Sequence, residues 1–490
     1  MQEDNPGSAT GIARRRGWGW YVLASIVLLM PVYWQPRVQA GDLSSHIYNA
    51  WLTELIETGQ TQGLVVVRQT TNILFDLMLG SLFRLAGAEF AQRISVSIAV
   101  LIFVWGAFRF VTVVGGRRAW HLLPCIAMLA YGWVFHMGFF NFYLSMGLCF
   151  WALAATWEWT PRGMAFALPV LLLAYLAHAL PVVWTIGLLS YQWLATKIGA
   201  RRRVYVTAVW LLAMVVTQIV VGRNTFSVWS LQQIKMSTGA DQVWVFDGKY
   251  YVVLAALLIL WGMLFLDLLK SSGARRVVSS VPFQLCVISA AAVVILPTTI
   301  MLPGFSHALV YIAERMSLGV GICVCALLGT AIPRQFERYA MLGIAVVFFG
   351  FLYRDEKVLN LLEDRMDGVI AGLPPGQRVV SGIDDPELHV FAVTHMIDRA
   401  CLGRCFSYAN YEPSTAQFRV RAVEANPYVM ANYKESWKMQ NGVYVVQDRD
   451  LPLLQLTLDG EGKMALRPLK AGTPCGSTSL KALPALFPLS

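Results

Sequence analysis

Charge is what this sequence lacks. Only 14% of its 490 residues are Asp, Glu, Lys or Arg, against roughly a quarter in an average soluble domain. Hydrophobic residues make up 57%, and the mean hydropathy is +0.55. That balance excludes a water-soluble enzyme. Disorder is excluded as well, because 12% of the residues are aromatic and no low-complexity tract or internal repeat is present. There is no Walker A loop, no GxGxxG after a strand, no HExxH and no GxSxG, which removes the usual ATPase, dinucleotide, zincin and hydrolase readings. The AGTPCGSTS run near the C-terminus has no lysine-serine ending. The net charge of +10 is spread through loops with no basic patch interleaved with stacking aromatics, so nucleic acid is not an expected partner.

What is present is a series of apolar runs. Candidate spans lie near 18 to 35, 92 to 114, 119 to 137, 139 to 158, 163 to 178, 181 to 197, 204 to 222, 250 to 269, 280 to 302, 307 to 331 and 338 to 353. The first run follows Arg14, Arg15 and Arg16 and has no small-residue cleavage site, so it reads as a retained span. Residues 69 to 87 are apolar on balance but carry Asp76 and Arg84. The positive-inside rule decides their status. If they do not span, one side receives Arg14 to Arg16, Arg117, Arg118, Arg162, Lys197, Arg201 to Arg203, Lys270, Arg275, Arg276, Arg334 and Arg338. If they did span, the later clusters would fall on the opposite side from the first.

The sequence therefore predicts a polytopic α-helical membrane protein with about eleven transmembrane helices. Residues 1–353 form the transmembrane domain, within which 36–91 are a first external loop carrying amphipathic helices. Residues 354–490 form a small extracytoplasmic α/β or α+β domain. In that region an amphipathic helix leads to a Pro374-Pro375-Gly376 turn and a strand from Arg378, and further strand-like runs cover Gly442 to Gln447 and Leu451 to Leu458. The expected location is a bacterial inner membrane, with the N-terminus cytoplasmic and membrane lipids as partners. Five cysteines lie in apolar helices, where they act as small hydrophobes. Of the three in the tail, Cys401 and Cys405 are the first candidates for a disulfide in an oxidising compartment, with a zinc site as the weaker alternative.

Chemistry is sought in the polar residues that survive in this apolar chain. In GDLSSHIYNAW, Asp42 opens or caps a helix and His46 lies one turn on, on the same side. A carboxylate and an imidazole there can transfer a proton or bind phosphate or a metal, while N-capping by Asp42 is the structural alternative. His46, His136, His178 and His307 all fall at the outer level, as does Asn141 in FHMGFFNFYLSMG, and polar groups near spans usually face a cavity or a partner. Glu314 and Arg315 are expected about two turns into the span beginning at His307. Arg315 or Arg68 has the guanidinium geometry to hold a phosphate, and Asp76, Arg84 and Arg93 either share that role or anchor flat helices.

An N-terminal span, a long first external loop with an aspartate soon after the membrane, flat helices, about eleven spans and an external tail resemble the GT-C superfamily of polyprenyl-phosphate-sugar-dependent glycosyltransferases. The resemblance covers the chain in layout and rests locally on GDLSSHIYNAW. It implies that Asp42 matches the first-loop acid acting as general base or helping to bind metal and acceptor. The family's DD, DE or DxD pair is missing here, since Leu43 and Ser44 follow Asp42, and His46 is the candidate to replace its second member. The implied reaction is an inverting transfer from a lipid-linked sugar donor to a glycan, lipid or protein acceptor. Asp42 and His46 are the catalytic candidates. Arg68, His136, Asn141, His178, His307, Glu314 and Arg315 are the substrate-binding candidates, a divalent metal is a possible cofactor, and Tyr408, Asn410 and Tyr411 have groups suited to sugars. A secondary transporter and a non-catalytic scaffold binding lipid or glycan remain alternatives.

Overall fold

A computed structural model describes residues 7–304, 307–415, 417–423, 426–459 and 462–479. The chain is predominantly helical, and four helices are long and apolar enough to cross a membrane: Leu74–Gly115, Ala200–Asn224, Tyr250–Ser272 and Gln335–Ile370. Shorter apolar helices cover Trp18–Tyr33, Phe140–Thr156, Pro161–Ala177 and Val281–Ile295. At 25 residues, Ala200–Asn224 is about 38 Å long, enough for ~30 Å of hydrocarbon. Val209, Leu212, Val216 and Val220 on it are exposed, a surface that water would penalise and lipid would not.

Several expected spans differ in detail. The run 119–137 is interrupted at Tyr131 and Gly132, giving Leu123–Ala130 and Trp133–Met137. The 280–302 run leaves its helix at Ile295, and Thr299–Met301 pairs antiparallel with Phe226–Val228. Within 307–331 the helix is Ile312–Leu328, entered through Tyr311 at φ +58°. Glu314 and Arg315 are thus in its first turn, not two turns deep, because the residues after His307 are extended rather than helical.

The long helix Leu74–Gly115 has 42 residues, about 63 Å, but its dihedrals break at Ala86 and at Gly87, whose φ of +80° suits a residue without Cβ. The part before the break, 74–85, is only about 18 Å long, too short to cross ~30 Å of hydrocarbon. Arg84 at its end pairs with Glu57 at 2.9 Å.

Residues 353 and 354, the expected domain boundary, lie inside the continuous helix Gln335–Ile370. Its 36 residues extend about 54 Å, so it projects beyond a bilayer core and carries the chain into the tail. There a mixed four-stranded sheet has the order Cys405–Ser407, Gln377–Ser381, Leu454–Leu458, Met464–Pro468. The first three strands run parallel and the last pairs antiparallel, with Leu456 opposite Leu466. Cys401 and Cys405 are disulfide-bonded, and Cys475 is a buried free thiol.

The tail is fastened to the first loop at several points. Leu64–Val66 pairs antiparallel with Val420–Ala422, Val65 opposite Arg421. Buried Arg399 forms a fork with Glu363 at 2.6 and 2.7 Å and also donates to the Val38 carbonyl and to Gln92 Oε1. Four separate stretches of chain meet on that one guanidinium.

Candidate functional site

The site begins with a backbone arrangement. The short helix Trp133–Met137 ends at Gly138, whose φ is +83°. Against this turn lie Gly41 and Asp42, whose amides donate to the carbonyls of His136 at 2.8 Å and Met137 at 3.0 Å. A Cβ at Gly138 would stand 2.4 Å from the Asp42 amide nitrogen, so only glycine fits. This contact fixes where the helix Leu43–Glu57 starts. Asp42 sits at its N-cap position, yet its carboxylate makes no capping hydrogen bond. It is free for other contacts, and it lines a cavity of about 250 Å³.

One turn along, buried His46 places Nδ1 2.7 Å from Asp76 Oδ1 and 3.7 Å from Glu412 Oε1. Asn141 holds Asp76 in place, donating to its Oδ2 at 2.7 Å while accepting the Phe75 amide at 2.8 Å. Burial works against the His46 imidazolium, but Asp76, Glu412 and Asp42 outweigh it and push its pKa up to about 10. Desolvation works against the half-buried Asp76 carboxylate, but His46 and then Asn141 hold its pKa below the usual range. Burial, with Asp76, Asp42 and Asp398 nearby, pushes Glu412 up to about 8 against the pull of His46.

The tail supplies a second histidine. His395 Nε2 is 3.6 Å from Asp42 Oδ1, and its Nδ1 is 3.1 Å from Asp398 Oδ2. Asp398 is buried and also accepts from Ser407 Oγ and, at 3.0 Å, from Asn410 Nδ2. Asn410 in turn donates to Ser45 and accepts from Asn49, one and two turns along the loop helix. Burial disfavours the His395 imidazolium, yet Asp398 and then Asp42 raise its pKa above the ordinary histidine value.

The cavity's other walls come from distant parts of the chain. Asn141, His178, His307, Arg315 and Tyr411 line it together with Asp42 and His46, and Phe139, Phe142, Leu302, Leu309 and Phe418 supply apolar surface. The Arg315 guanidinium carbon lies 3.8 Å above the Phe139 ring, and its buried Nε has no hydrogen-bond partner. The His178 Nδ1 accepts the Leu180 amide at 3.1 Å and so caps Ala179–Lys197.

Four other candidates lie elsewhere. His136 is fully buried, bonded to the Gln39 carbonyl at 2.9 Å with Nε2 3.9 Å from Glu356, away from the cavity. Glu314 accepts from Thr298 Oγ1 and does not line the cavity, and Arg68 is exposed outside it. Tyr408 donates to buried Asp450 at 2.9 Å inside the tail and does not reach the cavity. Glu412, His395 and Asp398 escaped the sequence reading. The signal for the last two was the His-x-x-Asp spacing in HMIDRA, which places both side chains on one face of a helical turn.

No family model, curated protein or solved structure matches this chain. Among the described residues, no group of three or more His, Cys, Asp or Glu side chains is arranged to hold a metal ion. Asp76 is committed to His46 and Asn141, and Asp398 to His395, Ser407 and Asn410. The arrangement thus does not fit a divalent cation, and no step is assigned to one. What remains is a carboxylate and a guanidinium on the wall of one partly apolar chamber, a combination suited to accepting a proton and holding an anion.

Proposed function

We propose that the chain is a membrane glycosyltransferase of GT-C layout, with about eleven spans, a cytoplasmic N-terminus and its site on the extracytoplasmic side of a bacterial inner membrane. It moves a sugar from a polyprenyl-phosphate-linked donor to a glycan, lipid or protein acceptor. The observation that carries this reading is that Asp42 leaves its own helix uncapped and shares a cavity with Arg315. At about 250 Å³ the cavity is below the ~300 to 1,000 Å³ usual for small-ligand sites. It suits a sugar-phosphate headgroup, with the prenyl chain outside in lipid.

Arg315 holds the donor phosphate, its planar fork matching two phosphate oxygens, and His178 and His307 border the same space. Asp42 accepts the proton of the acceptor hydroxyl as the glycosyl-phosphate bond breaks, and the guanidinium compensates the charge left on the phosphate. Attack from the side opposite the leaving phosphate inverts the anomeric centre.

The test is thermal unfolding of detergent-purified protein with a polyprenyl phosphate, followed by transfer from labelled polyprenyl-phosphate sugars. Wild type gains stability, Arg315→Ala loses that gain, and Asp42→Asn keeps it while transfer falls by about a hundredfold or more. Absence of stabilisation in wild type refutes the reading. Stabilisation without transfer from any donor makes the chain a lipid-binding scaffold.

A further inference from the structure

The tail places a histidine against the first-loop aspartate. Asp42 stands at the start of Leu43–Glu57, and His395 lies at the start of the short helix Met396–Ala400, more than 350 residues later. The imidazole sits between two carboxylates, Nε2 at 3.6 Å from Asp42 and Nδ1 at 3.1 Å from Asp398. Both His395 and Asp398 are buried, with side chains 8% and 2% exposed. Asp398 is held by Ser407 and Asn410, so the pair has little freedom to turn. The His395 ring is also 5.2 Å from the ring of Tyr411, which lines the cavity with Asp42. His395 and Asp398 also border a second, smaller pocket of about 30 Å³ with Ser381, Asp384 and Gln440, enough for about one or two waters.

We infer that His395, backed by Asp398, is the positioning residue for Asp42, so that the catalytic carboxylate is aimed by the tail and the site is composite. An anchored imidazole beside a carboxylate limits the directions the carboxylate can take, and a proton acceptor has to be held in position. The groups facing His395 are Asp398 on its own helix, Asp42 and His46 on the loop helix, and Tyr411; the carboxylates favour its charged form and His46 opposes it. The proton removed from the acceptor hydroxyl ends on Asp42, and His395 keeps its own protons throughout.

The catalytic half of this inference rests on the glycosyl-transfer reading, while the pairing does not. The pairing is therefore tested first without substrate, on full-length protein in detergent with isotope-labelled histidine side chains. The His395 resonance, assigned through loss in His395→Gln, titrates above the ordinary histidine range in wild type. In Asp42→Asn its midpoint falls by about one pH unit, and in Asp398→Asn by at least as much. A midpoint that does not move in Asp42→Asn overturns the inference, whatever the protein transfers.

The second arm compares His395→Gln with wild type in the transfer assay. A fall of about tenfold to a hundredfold in kcat with the donor KM unchanged supports positioning. Full kcat in His395→Gln overturns it. A wild type with no transfer and a moved midpoint in Asp42→Asn upholds the pairing and removes the enzymatic reading instead.

Discussion

Replacing Arg399 by Met is the sharpest test of how the tail is held. Glu363 is fully buried, and the guanidinium supplies two of its hydrogen bonds, at 2.6 and 2.7 Å. Gln39 supplies a third at 2.8 Å, and the Arg37 Nε is 3.8 Å away. Removing one partner of a buried pair leaves the other charge uncompensated and typically costs ~3 to 5 kcal/mol. That corresponds to roughly a hundredfold to a few thousandfold more of the opened state. Gln92 and the Val38 carbonyl also lose a donor, which keeps the cost toward the upper end. The assay is limited proteolysis of the purified protein, whose cleavage rate tracks the open population when opening and closing are fast. The double variant Glu363→Met with Arg399→Met removes both charges and should cost no more than either single change. An increase of less than about tenfold in the single variant, or additive costs in the double, would refute the reasoning.

Two further outcomes follow from the site. The folded-state pKa of His46, about 10, lies above its unfolded value, so the pairing contributes fully below about pH 6.5 and is lost as pH rises toward 10. Unfolding free energies measured from pH 6 to 10 should therefore fall in wild type, whereas His46→Gln starts lower at pH 6, by on the order of a few kcal/mol, and declines less; parallel curves would exclude the ion pair. Gly138→Ala should cost about 1 to 3 kcal/mol and displace Asp42, because the position needs a left-handed φ and has no room for a Cβ. Gly187→Ala, at a helical position open on all sides, should instead raise stability by somewhat under about 1 kcal/mol, and equal effects at the two glycines would show that the Gly138 contact is not tight.

What the sequence disclosed and what it hid follow one physical rule. Asp42, His178, His307 and Arg315 lie at the ends of apolar runs, where a polar group is costly and therefore conspicuous, and the structure brings them to one cavity. His136 lies at the same level but was misplaced, since height along a span says nothing about which way a side chain faces; it meets the Gln39 carbonyl instead. Arg68 and Glu314 show the same ambiguity, one exposed and the other held by Thr298. In the polar tail a charged residue costs nothing until packing buries it, so Glu412, His395 and Asp398 looked ordinary in sequence. Their burial comes from the loop helix, whose Ser45, Asn49 and Tyr48 bond to Asn410 and Ser407 across about 360 positions of chain.

That long-range packing also explains why a local search for paired acids fails here. After Asp42 come Leu43 and Ser44, and the loop offers no second carboxylate within reach in sequence. In space the acids gather around the loop histidine instead: Asp76 arrives from the helix beginning at Leu74, and Glu412 from Tyr411–Thr415. Each meets His46, at 2.7 and 3.7 Å, rather than standing beside Asp42 on one turn. The His46 imidazolium offsets part of the repulsion among these acids and holds Asp76 ionised, while burial and the neighbouring carboxylates still push Glu412 up to about 8. With His46 serving Asp76 and Glu412, and His395 standing between Asp398 and Asp42, Asp42 is the acid that keeps an open side toward the cavity.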